Sequence, residues 1–223
     1  IPGGDTQATE EWNVGLPVGA WSTGGDMNTA RWTLLGFGTQ TAALGAGGES
    51  PGTTYVTDTE LYDGTSWTEV NNLNTGRQLI TGAGIQTAGL AIGGSGPGTP
   101  GGTGDTESWN GTNWTEVNNL STVRRQLASA GTQTAALAFG GGTPGAVANT
   151  ESWNGTNWTA VNNLNTARIG LGGSGTQPAA LAFGGGGPTA VTELWNGTNW
   201  TEVNDLNTAR NEIRGAGTST STI

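Results

Sequence analysis

The chain has 223 residues, seven arginines but no lysine, no cysteine or histidine, and a formal net charge of −10. The missing Cys and His remove disulfides, thiolate chemistry, imidazole bases and the usual zinc or copper ligands, so no metal or other cofactor is expected. The acidity disfavours nucleic acid and anionic membranes as partners, and no apolar run nears the roughly 18 residues of a bilayer span, so no membrane insertion is expected.

Forty-two glycines and eight prolines approach the composition of a disordered chain, but the glycines are periodic and ten tryptophans demand a core. Ile1, with no initiator Met and no basic apolar leader, reads as a processed or excised start. Residues 1–25 are the least regular part. Thr9-Glu10-Glu11-Trp12-Asn13 nevertheless matches Thr150-Glu151-Ser152-Trp153-Asn154, which marks a degenerate copy of a repeat. From Met27 the repeat settles. Arg31, Arg77, Arg124, Arg168 and Arg210 each lie ten residues after Trp21, Trp67, Trp114, Trp158 and Trp200, and those tryptophans are 46, 47, 44 and 42 residues apart. This is the period of a four-stranded propeller blade.

Each unit divides into four short strands. In the third copy the first runs near Gln126 to Gly131, and the second, Ala135 to Phe139, is a short apolar run suited to burial on both faces. The third, Thr150 to Trp153, is joined through Asn154-Gly155, a hairpin signal, to a fourth from Trp158 to Val161. Nothing has capped helical periodicity. From tryptophan to the next Gly-Gly the length is constant, whereas the loop between strands two and three varies. From the first Gly to the next registered Glu it is 13, 14, 11 and 9 residues in successive copies. A constant frame with one variable loop per unit is the pattern of a recognition scaffold.

The order Gly93-Gly94, Glu107-Ser108-Trp109, Trp114, Arg124 resembles the kelch repeat, and Leu61-Tyr62-Asp63-Gly64 matches it most closely. The resemblance spans essentially the whole chain. It implies a propeller of four-stranded antiparallel blades acting as a binding platform. The aromatic-to-Trp hairpin is shorter than is usual in kelch units, and kelch rings more often have six or seven blades. Some kelch relatives are copper-dependent sugar oxidases, but without His or Cys to hold the metal that activity is not carried over.

The expected architecture is therefore all-β: a single domain over residues 1–223, folded as a five-bladed propeller. The four Trp spacings leave 44 residues, one further unit, so the ring is expected to close by N- and C-terminal strands sharing one blade. That blade combines an inner strand near Asn211 to Thr218 with outer strands from the first 25 residues, which removes a free sheet edge.

Five glutamates, Glu10, Glu60, Glu107, Glu151 and Glu193, recur in register with the five arginines. Paired carboxylates can hydrolyse glycosides. One Glu and one Arg per unit, with Lys never substituting, instead favours a ring of bidentate ion pairs between blades. Arg125 and Arg214 stand outside that ring. The tryptophans are read as packing between blades rather than as sugar-stacking platforms; Trp32 alone breaks the pattern. Seven Asn-x-Ser/Thr sequons occur, six of them in NGTNWT hairpins where the turn itself wants Asn-Gly. Gly184 to Gly187 has neither the helix nor the Lys of a phosphate loop.

The function expected is non-enzymatic: glycan or protein recognition on an extracellular or virion-surface protein. The alternative is a structural subunit whose propellers self-assemble into a fibre or decorate a larger particle. Strand direction puts the variable loop and the loop leaving strand four on one face. There the candidate ligand amides are Asn71, Asn72, Asn74, Asn118, Asn119, Asn162, Asn163, Asn165, Asn204 and Asn207.

Overall fold

A computed structural model describes residues 10–13, 20–52, 55–219 and 221–222. At the N-terminal end, β1 (Glu10–Asn13) and β2 (Ala20–Thr23) pair antiparallel with Trp12 opposite Trp21. Four meanders follow. The first contains β3 (Leu35–Thr39), β4 (Ala42–Ala46), β5 (Thr59–Tyr62) and β6 (Trp67–Val70). The second contains β7 (Thr81–Ile85), β8 (Ala88–Ile92), β9 (Thr106–Trp109) and β10 (Trp114–Val117). The third contains β11 (Ala128–Gly131), β12 (Ala136–Phe139), β13 (Thr150–Trp153) and β14 (Trp158–Val161). The fourth contains β15 (Gly172–Thr176), β16 (Ala179–Phe183), β17 (Thr192–Trp195) and β18 (Trp200–Val203). A last hairpin joins β19 (Gly217–Thr218) to β20 (Ser221–Thr222). There is no helix among the described residues.

Within each meander the strands pair antiparallel in chain order. The expected five four-stranded blades are thus corrected to four, flanked by two separate two-stranded sheets. The physical reason lies in the sequence left over for a fifth. After Gly217 the polar run Thr218-Ser219-Thr220-Ser221-Thr222 stands where other units have an apolar second strand such as Ala136-Leu137-Ala138-Phe139. It has nothing to bury against a third strand.

The first strands β3, β7, β11 and β15 lie side by side, and β19 continues the row beside β15. The core sits between blades. Phe139, Leu137 and Ala128 of the third blade pack with Leu171, Ala180, Trp195 and Trp200 of the fourth, and two equivalent clusters join the earlier pairs. Close approach is bought with glycine: Gly89 and Gly82 receive the Phe37 ring from the preceding blade, and Gly215 receives Phe183. A Cβ at Gly89 or Gly215 would overlap those rings.

Each blade also carries an aromatic pair across its outer hairpin. Tyr62–Trp67, Trp109–Trp114, Trp153–Trp158 and Trp195–Trp200 have centroids 5.1, 5.2, 5.3 and 5.4 Å apart. The second member reaches backwards. Trp114, Trp158 and Trp200 each donate an indole N–H to a Thr hydroxyl of the previous blade, at Thr59, Thr106 and Thr150. Buried indoles with their one donor satisfied serve packing, which leaves these rings no face to offer a sugar. Trp32 is half-buried where the chain enters the first blade, its backbone bridged to Glu49.

Candidate binding face and channel mouth

Among the described residues, four Arg–Glu ion pairs lock the blades. Arg31–Glu60, Arg77–Glu107, Arg124–Glu151 and Arg168–Glu193 close at 2.8, 2.8, 2.9 and 2.9 Å, with every side chain at most 1% exposed. The other guanidinium nitrogen, Nη1, donates to two carbonyls in each case, for example Gly93 and Asp105 for Arg77. Burial pushes the pKa of Arg77, Arg124 and Arg168 below the ordinary value, and the partner glutamate opposes that shift. Arg210 is different: it is exposed and forms no ion pair among the described residues. The side chain of its registered partner, Glu10, lies outside them.

The asparagines of the segment leaving strand four hold the frame in three ways. Asn71, Asn118 and Asn162 each donate to the next blade's turn, at Asn113, Asn157 and Asn199, all at 2.8 Å. Asn72, Asn119 and Asn163 accept from the first N–H of their own third strand, at Thr59, Thr106 and Thr150. Asn74 and Asn165 donate from backbone and side chain to the second carboxylate oxygen of Glu107 and Glu193. Asn28 does the same for Glu60, and Ser121 substitutes for it at Glu151. Asn204 and Asn207, in the last unit, are exposed. Sequence direction alone separates these asparagines from the NGTN turns. The structure joins them, because twist accumulates from strand to strand and the outermost strand ends at the neighbouring blade. Each NGTN turn is itself closed by its first Asn, as where Asn154 accepts from Thr156 and Asn157.

One end of the channel carries a feature that the repeat hides. Two residues after each ring arginine, Thr33, Leu79, Gln126, Gly170 and Glu212 adopt left-handed backbone, with φ of 57, 53, 51, 65 and 51°. Non-glycine residues rarely do so, and such strain collects at working sites. Backbone bonds run from one to the next: Leu79 to Thr33, Gln126 to Leu79, and Gly170 to Gln126, at 3.0, 2.9 and 2.9 Å. Identical backbone therefore presents a hydroxyl, an isobutyl group, an amide, a hydrogen and a carboxylate around one opening. Together with Leu34, Ile213 and Arg214 they line a cavity of about 330 Å³. Across it Gln126 donates to Glu212 at 3.4 Å, over Gly170, which has no side chain to intervene.

This mouth opens on the face of the variable loops. The bridges Trp32–Glu49, Gln78–Ser95 and Arg125–Gly142 join the segment entering each first strand to the loop between strands two and three. In the sequence these residues are only the column two places after each arginine, varying inside a constant frame, which does not by itself show that they form a set. Among the described residues no three acidic groups converge as a metal-ligand set.

Four meander sheets whose first strands surround a glycine-lined channel define a β-propeller. No family model matches the chain, and no curated protein does. Among solved structures it is similar to the one titled "Structure of YjhT", with a TM-score of 0.80 and 12% identity, covering 94% of this chain and 81% of that one. At that identity the likeness shows the fold alone.

Proposed function

We propose that this propeller is a kelch-like, non-enzymatic binding module that recognises a glycan or a protein through its loop face, with the channel mouth at the centre. One observation carries the reading: side chains and loops that differ from unit to unit are gathered on one face of a frame whose hydrogen bonds repeat from unit to unit. Scaffold and contact surface are then separate sets of residues. The bonded Asn amides belong to the scaffold in this reading, the exposed Asn204 and Asn207 stay candidate contacts, and the rim residues Thr33, Leu79, Gln126 and Glu212 join them. The context we propose is an extracellular or virion surface, in keeping with the acidic, Lys-free composition.

We further propose that the two ends of the chain share a fifth sector. The pairing of Trp12 with Trp21 repeats the outer-strand register of Trp153 with Trp158. Gly184 meets Ile213 and the Arg210 carbonyl as Gly140 meets Leu171 and the Arg168 carbonyl. A glycan screen combined with analytical ultracentrifugation tests the functional reading. Saturable binding by a monomer supports it, whereas self-association without ligand would assign the chain to a fibre or a particle coat.

A further inference from the structure

We infer that Arg214 is an anion-binding residue inside the channel, taking a small ligand through a carboxylate or phosphate oxygen. The ring arginines show what a guanidinium in this fold does when its role is structural: both terminal nitrogens are engaged, one on a glutamate and one on two carbonyls. Arg214 has no such set. No hydrogen bond or ion pair of its side chain occurs among the described residues, yet it borders both the mouth cavity and the next cavity inward, of about 250 Å³. Leu34, Ala128, Leu171 and glycines of the first strands form most of that inner wall.

Among the described residues no group of this wall is hydrogen-bonded to the guanidinium. Ser129 donates to the Gly82 carbonyl at 2.8 Å and shares a 2.9 Å bond with Thr81, so the two hydroxyls near Arg214 are occupied with each other and with backbone. Arg214 is exposed, so an ion from solvent can reach it. Protein surrounds it closely enough that desolvation lowers its pKa, with Glu212 pulling the other way. A guanidinium stays charged throughout the accessible pH range. It presents a planar fork of five donors matched to an oxyanion. The equivalent positions in the other units are Leu35, Thr81, Ala128 and Gly172, none of them charged. One cation therefore stands in a channel built otherwise of small and apolar groups. The carboxylate of Glu212 at the rim, and the −10 charge of the chain, favour a monoanion over a dianion.

This inference rests on the loop face being a binding face, but its test needs no partner. Arginine Nε–Hε resonances would be followed by NMR during titration with sodium acetate and, separately, inorganic phosphate, against sodium chloride at equal ionic strength. The expected result is a saturable shift confined to Arg214, with acetate or phosphate and not chloride; whichever ion acts identifies the oxyanion. Arg214→Gln should weaken the calorimetric affinity about tenfold or more, and Glu212→Gln should strengthen it. An absent shift, an equal shift with chloride, or affinity surviving in Arg214→Gln would overturn the assignment. The wild-type titration decides the matter even if Arg214→Gln fails to fold. Failure here would leave a positive glycan screen standing, so the two proposals fall separately.

Discussion

Replacing Arg168 with lysine isolates what the ion-pair ring contributes. Arg168 donates from Nη1 to Gly184 and Val191 carbonyls at 2.9 and 2.7 Å and from Nη2 to Glu193 at 2.9 Å. A lysine keeps the charge but carries its donors on one nitrogen, so it serves the carbonyls or the carboxylate, not both ends of the fork. Glu193 is not stranded, because Asn165 still donates to its other oxygen at 2.7 and 2.8 Å. The cost is one or two buried acceptors left unpaired, about 2 kcal/mol within a range of ~1–3. For a domain of this size that lowers Tm by about 4–8 °C. Arg168→Met removes the positive charge from a buried carboxylate and should cost about 3–5 kcal/mol, much of it recovered by Arg168→Met/Glu193→Met. Calorimetric or denaturant unfolding measures all three. Arg125→Lys is the control: Arg125 is half-buried, outside the ring, and should change stability by less than about 0.5 kcal/mol. If Arg125→Lys cost as much as Arg168→Lys, the ring would not be what sets blade register.

Gly173→Ala should destabilise by about 1–3 kcal/mol, because a Cβ there meets Phe139 at 2.7 Å and Ala128 and Ser129 at 3.0 Å, whereas Gly101→Ala, with open space around it, should be neutral in the same melts. Asn165→Ser should be tolerated, since Ser121 already does this work at Glu151, while Asn165→Ala should cost about 1–2 kcal/mol; equal losses would contradict the capping role. Asp63 stands where other units have Asn110, Asn154 and Asn196. Backbone N–H groups of Ser66 and Thr65, each at 2.8 Å, hold its pKa below the ordinary carboxylate value. A depressed folded pKa means that the turn's stabilisation is complete above the unfolded value and is lost as pH falls through the lowered one. The amide shifts of Thr65 and Ser66 should therefore titrate at acid pH in the wild type and stay flat in Asp63→Asn.

The frame was legible because each of its parts repeats. Thr150 to Trp153 and Trp158 to Val161 are the strand limits that the sequence predicts, and the first two strands of that unit begin only one or two residues later than expected. The Arg–Glu partners follow from recurrence alone, since a buried charge needs its opposite once per unit. Two things were not legible. Strand alternation gives the direction of a loop but not the accumulated twist of a blade, so Asn71, Asn74, Asn118, Asn162 and Asn165 looked free for ligand when their amides were already bonded to the next unit. The channel mouth was invisible for the opposite reason. Thr33, Leu79, Gln126, Gly170 and Glu212 share no chemistry, and only their common left-handed backbone shows that they form a set. Arg214 escaped because a lone arginine outside a repeated ring reads as surface until the cavities it borders are seen.

The separation of scaffold from contact surface is tested most directly by exchanging loops. Replacing residues 47–59 and 93–106, in register, by the short Gly184–Thr192 version removes the two longest excursions from the loop face, keeps Ala46 as the end of β4 and puts Thr192 in the places of Thr59 and Thr106. With a glycan or protein identified by the screen, binding by the exchanged protein would be measured by calorimetry, with fold monitored by near-ultraviolet circular dichroism of the buried tryptophans. Lost or much weakened binding with an unchanged tryptophan spectrum is the predicted result. Binding retained at wild-type affinity would contradict the account and move the working surface to the opposite face.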